Sequence, residues 1–218
     1  MAILEQSFQV KEVREMPDVK HFDPDAVLDR VVRLFWRRGA ASTGIAEVVA
    51  ETGISRSSLY ATFGGKQELY TAALRRYVDH HSRPVFDRLA ADGRGLPGIA
   101  AFFDGLVTAR CSGEHARWGC MVSNAHAAQE AGDAGEREVL DGHHEALSAA
   151  MRTALQAAHD QGQLRDGLEV DPTAQMLALL AYGVNLRSRA GAEPGELSAT
   201  VDAALRSLTS SPANPPRR

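Results

Sequence analysis

Only two cysteines, Cys111 and Cys120, occur in 218 residues. That excludes a disulfide scaffold and a cysteine-built zinc module. No apolar run approaches membrane length: the longest, Met176 to Val184, falls far short of the ~20 residues of a spanning helix. The opening Met1-Ala2-Ile3-Leu4 is too short for a signal-peptide core, so the expected location is cytoplasmic, with reduced thiols. Strand-type alternation is missing, which leaves an all-α class. Gly64-Gly65 and Gly93-Arg94-Gly95 lack the strand-to-helix context of a phosphate loop. The Ser, His and Asp residues form no nucleophile motif. An enzyme is not expected, and no cofactor is implied.

An overall excess of basic charge is also missing: the net charge is −4. Its distribution says more. Residues 20–90 carry 11 Lys/Arg against 8 Asp/Glu, whereas the stretch after residue 92 carries 11 against 15. A mildly basic head on an acidic body suits a DNA reader with a separate control domain.

What is present is helical periodicity. Asp23 and Pro24 are cap and first-turn residues for a helix with Val27, Val31, Leu34 and Phe35 on one face. Gly39 ends it. Two short helical segments follow. A long one runs from Lys66 towards Ala91, with a kink expected at Pro84. Patterns recur at about 97–111, 119–131, 134–161, 172–190 and 195–209, punctuated by Gly and Pro, for about nine helices in all. Residues 1–21 and 211–218 show no period and are expected to be flexible and disordered tails. The expected domains are 22–70 and 71–210.

The two short segments form a helix-turn-helix pattern. Ile45, Val48, Val49 and Thr52 share one face of the first. Gly53 supplies the turn and Ser55 a cap for the second. In that second helix Leu59 and Phe63 point one way, while Arg56 and Tyr60 share another face. The result is a helix anchored by two apolar residues that offers a cation, hydroxyls and a phenol to a DNA groove.

These residues resemble the TetR/AcrR family of transcriptional regulators. The resemblance is carried by Thr43, Gly53-Ile54-Ser55, Leu59-Tyr60, Phe63, and Lys66 followed by Glu68-Leu69-Tyr70. Gly119-Cys120-Met121-Val122-Ser123-Asn124 looks like the start of a ligand-domain helix in some members. Two departures stand out: Gly44 replaces a frequent Ser, and the tail before Phe22 lacks a basic run. The resemblance implies a three-helix DNA-binding head and a helical ligand-binding and dimerisation body. It implies a homodimer formed through the last two helices, a palindromic double-stranded operator, and a small-molecule effector that releases the DNA, so that the protein acts as a repressor.

Candidate DNA contacts are Thr43, Ser55, Arg56, Ser57, Ser58, Tyr60, Thr62 and Lys66. Arg56 is placed to read a guanine edge or grip a phosphate. Tyr60, Lys66 and Thr43 are placed for phosphate. Candidate pocket residues are Phe86, Phe102, Phe103, Leu106 and Cys120, with Met121, Asn124, His143, Leu147, Met176 and Tyr182. Such apolar and aromatic groups suit a pocket or a core equally. Cys120, just after Gly119 at a helix start, opens an alternative, a redox or electrophile sensor with Cys111 as resolving partner. Cys111 and His115, and His126 and Glu130, are four apart, but there is no compact metal motif and no metal site is assigned. A helical interaction module without DNA binding is the reading from another class, and it leaves Arg56, Tyr60 and Lys66 without a purpose.

Overall fold

A computed structural model describes residues 22–128 and 133–209. The two expected tails, and the end of the 119–131 pattern, lie outside these residues. Among the described residues the fold is all-helical. The helices are α1 (Pro24–Arg38), α2 (Ile45–Thr52), α3 (Arg56–Phe63) and α4 (Lys66–Tyr77). A π-helical turn (Val78–Ser82) leads into α5 (Arg83–Asp92). Then come α6 (Leu96–Cys111), α7 (Met121–Ala128), α8 (Ala134–Asp160), α9 (Val170–Arg189) and α10 (Pro194–Arg206). Counting the continuous run 66–92 as one rod gives nine among the described residues.

Local chemistry sets the boundaries. The Asp23 carboxylate accepts the Asp25 N–H at 2.9 Å ahead of α1. Gly53 adopts φ 71° between α2 and α3, a conformation that side chains disfavour. The Ser55 hydroxyl accepts the Ser58 N–H at 3.2 Å and caps α3. The kink expected at Pro84 takes the form of the π turn just before it, where the Arg83 N–H bonds the Val78 carbonyl five residues back. A wider turn there relieves the clash a proline ring makes with the carbonyl four residues earlier.

Two buried clusters divide the interior. One joins Val27, Val31, Phe35, Val48, Leu59, Leu69 and Leu74 of the head to Cys120, Met121, Val122 and Leu140. The other fills the body around Phe103, Met151, Leu155 and Leu177. Packing therefore does not change at residue 70. The head core runs on through Tyr77 and recruits the start of α7 and Val139 and Leu140 of α8. An ion cluster holds α4 to α1: Arg76 donates to Asp29 at 2.6 Å and to Asp25 at 2.9 Å. The Arg76 hydrogen bond holds the Asp29 carboxyl below its ordinary range.

Trp36, at the end of α1, forms the joint with the body. Its Nε1–H donates to the Gly119 carbonyl at 2.9 Å. Gly119 has φ 67°, and a Cβ there would stand 2.9 Å from Asn124 Oδ1 and 3.0 Å from the Asn185 carbonyl. Both conformation and space require glycine. Arg189 of α9 donates to the carbonyls of Trp36, Arg37 and Trp118, at 3.3, 3.2 and 2.8 Å.

Candidate functional site

The outer face of α3 is polar and open. Arg56, Ser57, Tyr60 and Thr62 are exposed, while Leu59 beneath them is buried and Phe63 half-buried. Arg56 Nη2 donates to Tyr60 Oη at 3.2 Å, and its guanidinium lies over the Tyr60 ring, 5.2 Å from the centroid. The two therefore form one unit on the surface. The hydroxyls of Ser57 and Ser58 stand 3.0 and 2.9 Å from that of Ser55. Lys66, half-buried, opens α4 beside them. Among the described residues, neither Arg56 nor Lys66 forms an ion pair, so both cations keep their charge available to phosphate.

Thr43 is placed differently from the expectation. It is fully buried, and its hydroxyl donates to the Gly39 carbonyl at 2.7 Å. Gly44, not Thr43, caps the start of α2, and its N–H bonds Glu47 Oε2 at 3.0 Å. Thr43 holds the α1–α2 connection together instead of presenting a hydroxyl to DNA.

In the body, a cavity of about 530 Å³ opens between α5, α6, α8 and α9. Seven expected pocket residues line it: Phe86, Phe102, Leu106, Cys120, His143, Leu147 and Tyr182. Four do not. Phe103 and Met121 are consumed by the two cores. Asn124 donates to the Trp118 carbonyl at 2.9 Å and lines a smaller cavity of about 300 Å³ between head and body. Met176 stands 43% exposed on α9, on the same stripe as Leu179 at 64% and Leu186 at 37%. At 100° per residue, Leu177 takes the inward position and turns Met176 out.

The sequence reading missed the polar end of the cavity. Trp36 lines it, brought there from the DNA head. Arg110 lies 5.7 Å from its ring centroid and donates to Asn185 Oδ1 at 2.6 Å and to Tyr77 Oη at 3.3 Å. His115, read as a partner for Cys111, stacks on Trp36 with centroids 4.7 Å apart. The one signal in the sequence was an arginine near the end of a largely apolar helix. Nε2 of His115, Nε2 of His143 and Oγ of Ser123 are buried without a hydrogen-bond partner, and all three residues line the cavity.

Burial pushes the Cys120 thiol up. His143, Arg110 and the Ser123 backbone amide outweigh it and bring the pKa down to about 6. Cys111 belongs to the body cluster, does not line the cavity, and is raised by burial. Both thiols are free. His126 is not brought to a metal cluster, and Glu130 lies outside the described residues. Among the described residues no group of three metal-ligating side chains forms. None of these helices is long and apolar enough to cross a membrane.

Comparison with known proteins matches this helical fold. The profile described as bacterial regulatory proteins, tetR family, matches residues 27–73. The one described as tetracyclin repressor-like, C-terminal domain, matches residues 95–205. The HTH-type transcriptional repressor ComR of Escherichia coli (strain K12) is 26% identical over 90% of this chain and 93% of its own. The uncharacterized HTH-type transcriptional regulator YezE of Bacillus subtilis (strain 168) is 27% identical over 85% and 96%. Among solved structures, a cysteine mutant of the TetR family transcriptional regulator CifR, complexed with 26-base-pair operator DNA, superposes with a TM-score of 0.75. It is 26% identical and covers 87% of this chain and 98% of that one.

Proposed function

The chain belongs to the TetR family of bacterial regulatory proteins and is a DNA-binding transcriptional regulator, and from that premise we propose that it is a homodimeric repressor released from a palindromic operator by a small molecule. The observation that carries the reading is the outer face of α3, where Arg56, Tyr60 and three clustered serines stand over buried Leu59. Two copies of α3 enter successive major grooves of one DNA face. Ser55, Ser57, Ser58 and Thr62 supply further contacts, and Lys66 grips phosphate from the head of α4. CifR, in its mutant form, is held on operator DNA, and ComR is named a repressor; both support this assignment.

The dimer forms through α9 and α10. Met176, Leu179, Gly183 and Leu186 fall on one stripe of α9, and a Cβ built on Gly183 meets nothing within 4 Å. A large-apolar stripe with a glycine in its middle is what close helix pairing needs. The effector binds in the 530 Å³ cavity. Its wall includes Trp36, so a ligand touches the end of α1 directly and favours one spacing of the two heads.

Selection of bound sequences from a random DNA pool, followed by footprinting, tests the proposal. A two-fold symmetric site whose affinity falls steeply with salt is expected. Absence of enrichment, or salt-insensitive binding, overturns it. Leu179→Glu should turn the dimer into a monomer by light scattering and abolish tight operator binding with it. A second reading, thiol sensing, is favoured by Cys120 alone: it lies on the cavity wall with its thiol shifted towards the reactive form.

A further inference from the structure

Cys120 stands one residue ahead of α7, buried, on the inner wall of the cavity. His143 of α8 lines the same wall and is only 4% exposed. Its Nδ1 lies 3.2 Å from the Tyr182 hydroxyl, while its Nε2 has no partner. Ser123 is 1% exposed, and its hydroxyl also has no partner. Buried polar atoms without partners are uncommon in folded proteins and call for a reason. Here two of them share a wall with a buried thiol. A nucleophile, a base and a group that fixes one nitrogen of the base are the parts of an activated nucleophile. Phe86, Phe102, Leu106 and Leu147 form an apolar stretch of the same wall. The cavity reaches solvent past Arg88, Ala101 and Ala109, which are exposed.

We propose that this cavity captures α,β-unsaturated carbonyl compounds covalently, with Cys120 as the nucleophile and His143 as the proton carrier. The inference rests on the thiol-sensing form of the function above and names its substrate class. The Cys120 thiol gives its proton to His143 Nε2. The sulfur electron pair then forms a bond to the β-carbon of the ligand. The π pair of the carbon–carbon double bond shifts to leave an enolate. The Ser123 hydroxyl and the Arg110 guanidinium are the donors available to its oxygen. His143 returns the proton to the α-carbon. One S–C bond forms and one π bond is lost, so the thiol adds across the double bond and no oxidant or reductant is needed. Apolar side chains hold the tail of the ligand, and Tyr182 keeps the imidazole in its working orientation.

The test uses the full-length dimer, trans-2-hexenal as probe, and saturated hexanal as the control of nearly equal shape. Intact-mass spectrometry should show one hexenal adduct per chain, located at Cys120 by peptide mapping, and none with hexanal. Cys120→Ser should take up none, and Cys111→Ser should react like the parent. His143→Gln should slow the adduct by about 100-fold and remove the thiolate ultraviolet absorbance at neutral pH, which a packing role would leave alone. Should that variant fail to fold, Tyr182→Phe, which keeps the ring, should slow the reaction less. Modification of Cys111 in preference, or unchanged rates in both His143→Gln and Tyr182→Phe, overturns the proposal. Operator release followed by fluorescence anisotropy separates the two levels. If hexanal releases the DNA as well as hexenal does, covalent capture is overturned and the effector reading stands. If Cys120 is modified and the operator stays bound, capture stands and release by this ligand falls.

Discussion

The outer face of α3 and the wall of the body cavity both carry polar side chains, under opposite conditions. Arg56, Ser57 and Thr62 stand in water, which satisfies them until DNA displaces it. Around the cavity, His143 Nε2, His115 Nε2 and Ser123 Oγ are cut off from partners. An unsatisfied buried group of this kind costs about 1–3 kcal/mol. The head can therefore be stable whether or not DNA is bound. The body holds groups that are better satisfied by a ligand than by the protein alone, so occupancy and stability are linked there.

Trp36 is part of the head core and also lines the body cavity, and its removal gives the largest expected effect. Trp36→Ala takes away a buried ring, the bond to Gly119, and the platform for Arg110 and His115. A loss of about 3–5 kcal/mol in urea unfolding is expected, and head and body should then unfold separately. A single transition with a loss under ~1 kcal/mol would break the comparison, because the regions would not depend on this joint. Arg56→Ala should act on one side only. Its bonding partner, Tyr60, is on the same exposed helix, so the thermal midpoint should hold while operator affinity drops by about 1–3 kcal/mol at particular base pairs. Equal weakening of every sequence would instead make Arg56 a phosphate contact. Lys66→Ala should weaken all sequences alike and lower the salt slope by about one ion. The smallest effect concerns Asp29. Its folded pKa lies below the ordinary 3.8, so its contribution is present above that pH and is lost as pH falls through the lowered value. The pair is largely solvent-exposed on the Asp29 side, so Asp29→Asn should cost no more than about 1 kcal/mol at neutral pH and flatten the acid limb of the stability curve.

The two regions also differ in how far they could be read from the sequence. In the head, each boundary is written locally: Asp23 and Pro24 start α1, Gly53 makes the turn, and Ser55 caps α3. Thr43 escaped because its burial depends on how α1 and α2 meet. In the body, helical period located α6 and α8 but could not tell lining from filling. Phe102 and Phe103 are neighbours of one type, yet the first faces the cavity and the second the core. Met176 and Leu177 divide in the same way between solvent and interior. The polar end was least legible, because Trp36, Arg110 and Asn185 come from three helices far apart in the chain and meet only after packing.

The π turn at 78–82 changes what one residue is worth in the rod from Lys66 to Asp92. Its inward residues run Tyr70, Leu74, Tyr77, Ser82, Phe86 and Leu89, in steps of three and four except for one step of five across the π turn. The face continues in space although the spacing in the sequence breaks. Deleting one residue between Val78 and Ser82 would restore an ordinary step and leave Phe86 and Leu89 facing inward. The same deletion elsewhere in the rod would swing everything beyond it by about 100°. This rod thus has one place where its length can change by a residue without turning its inner face, and that place lies beside the cavity wall.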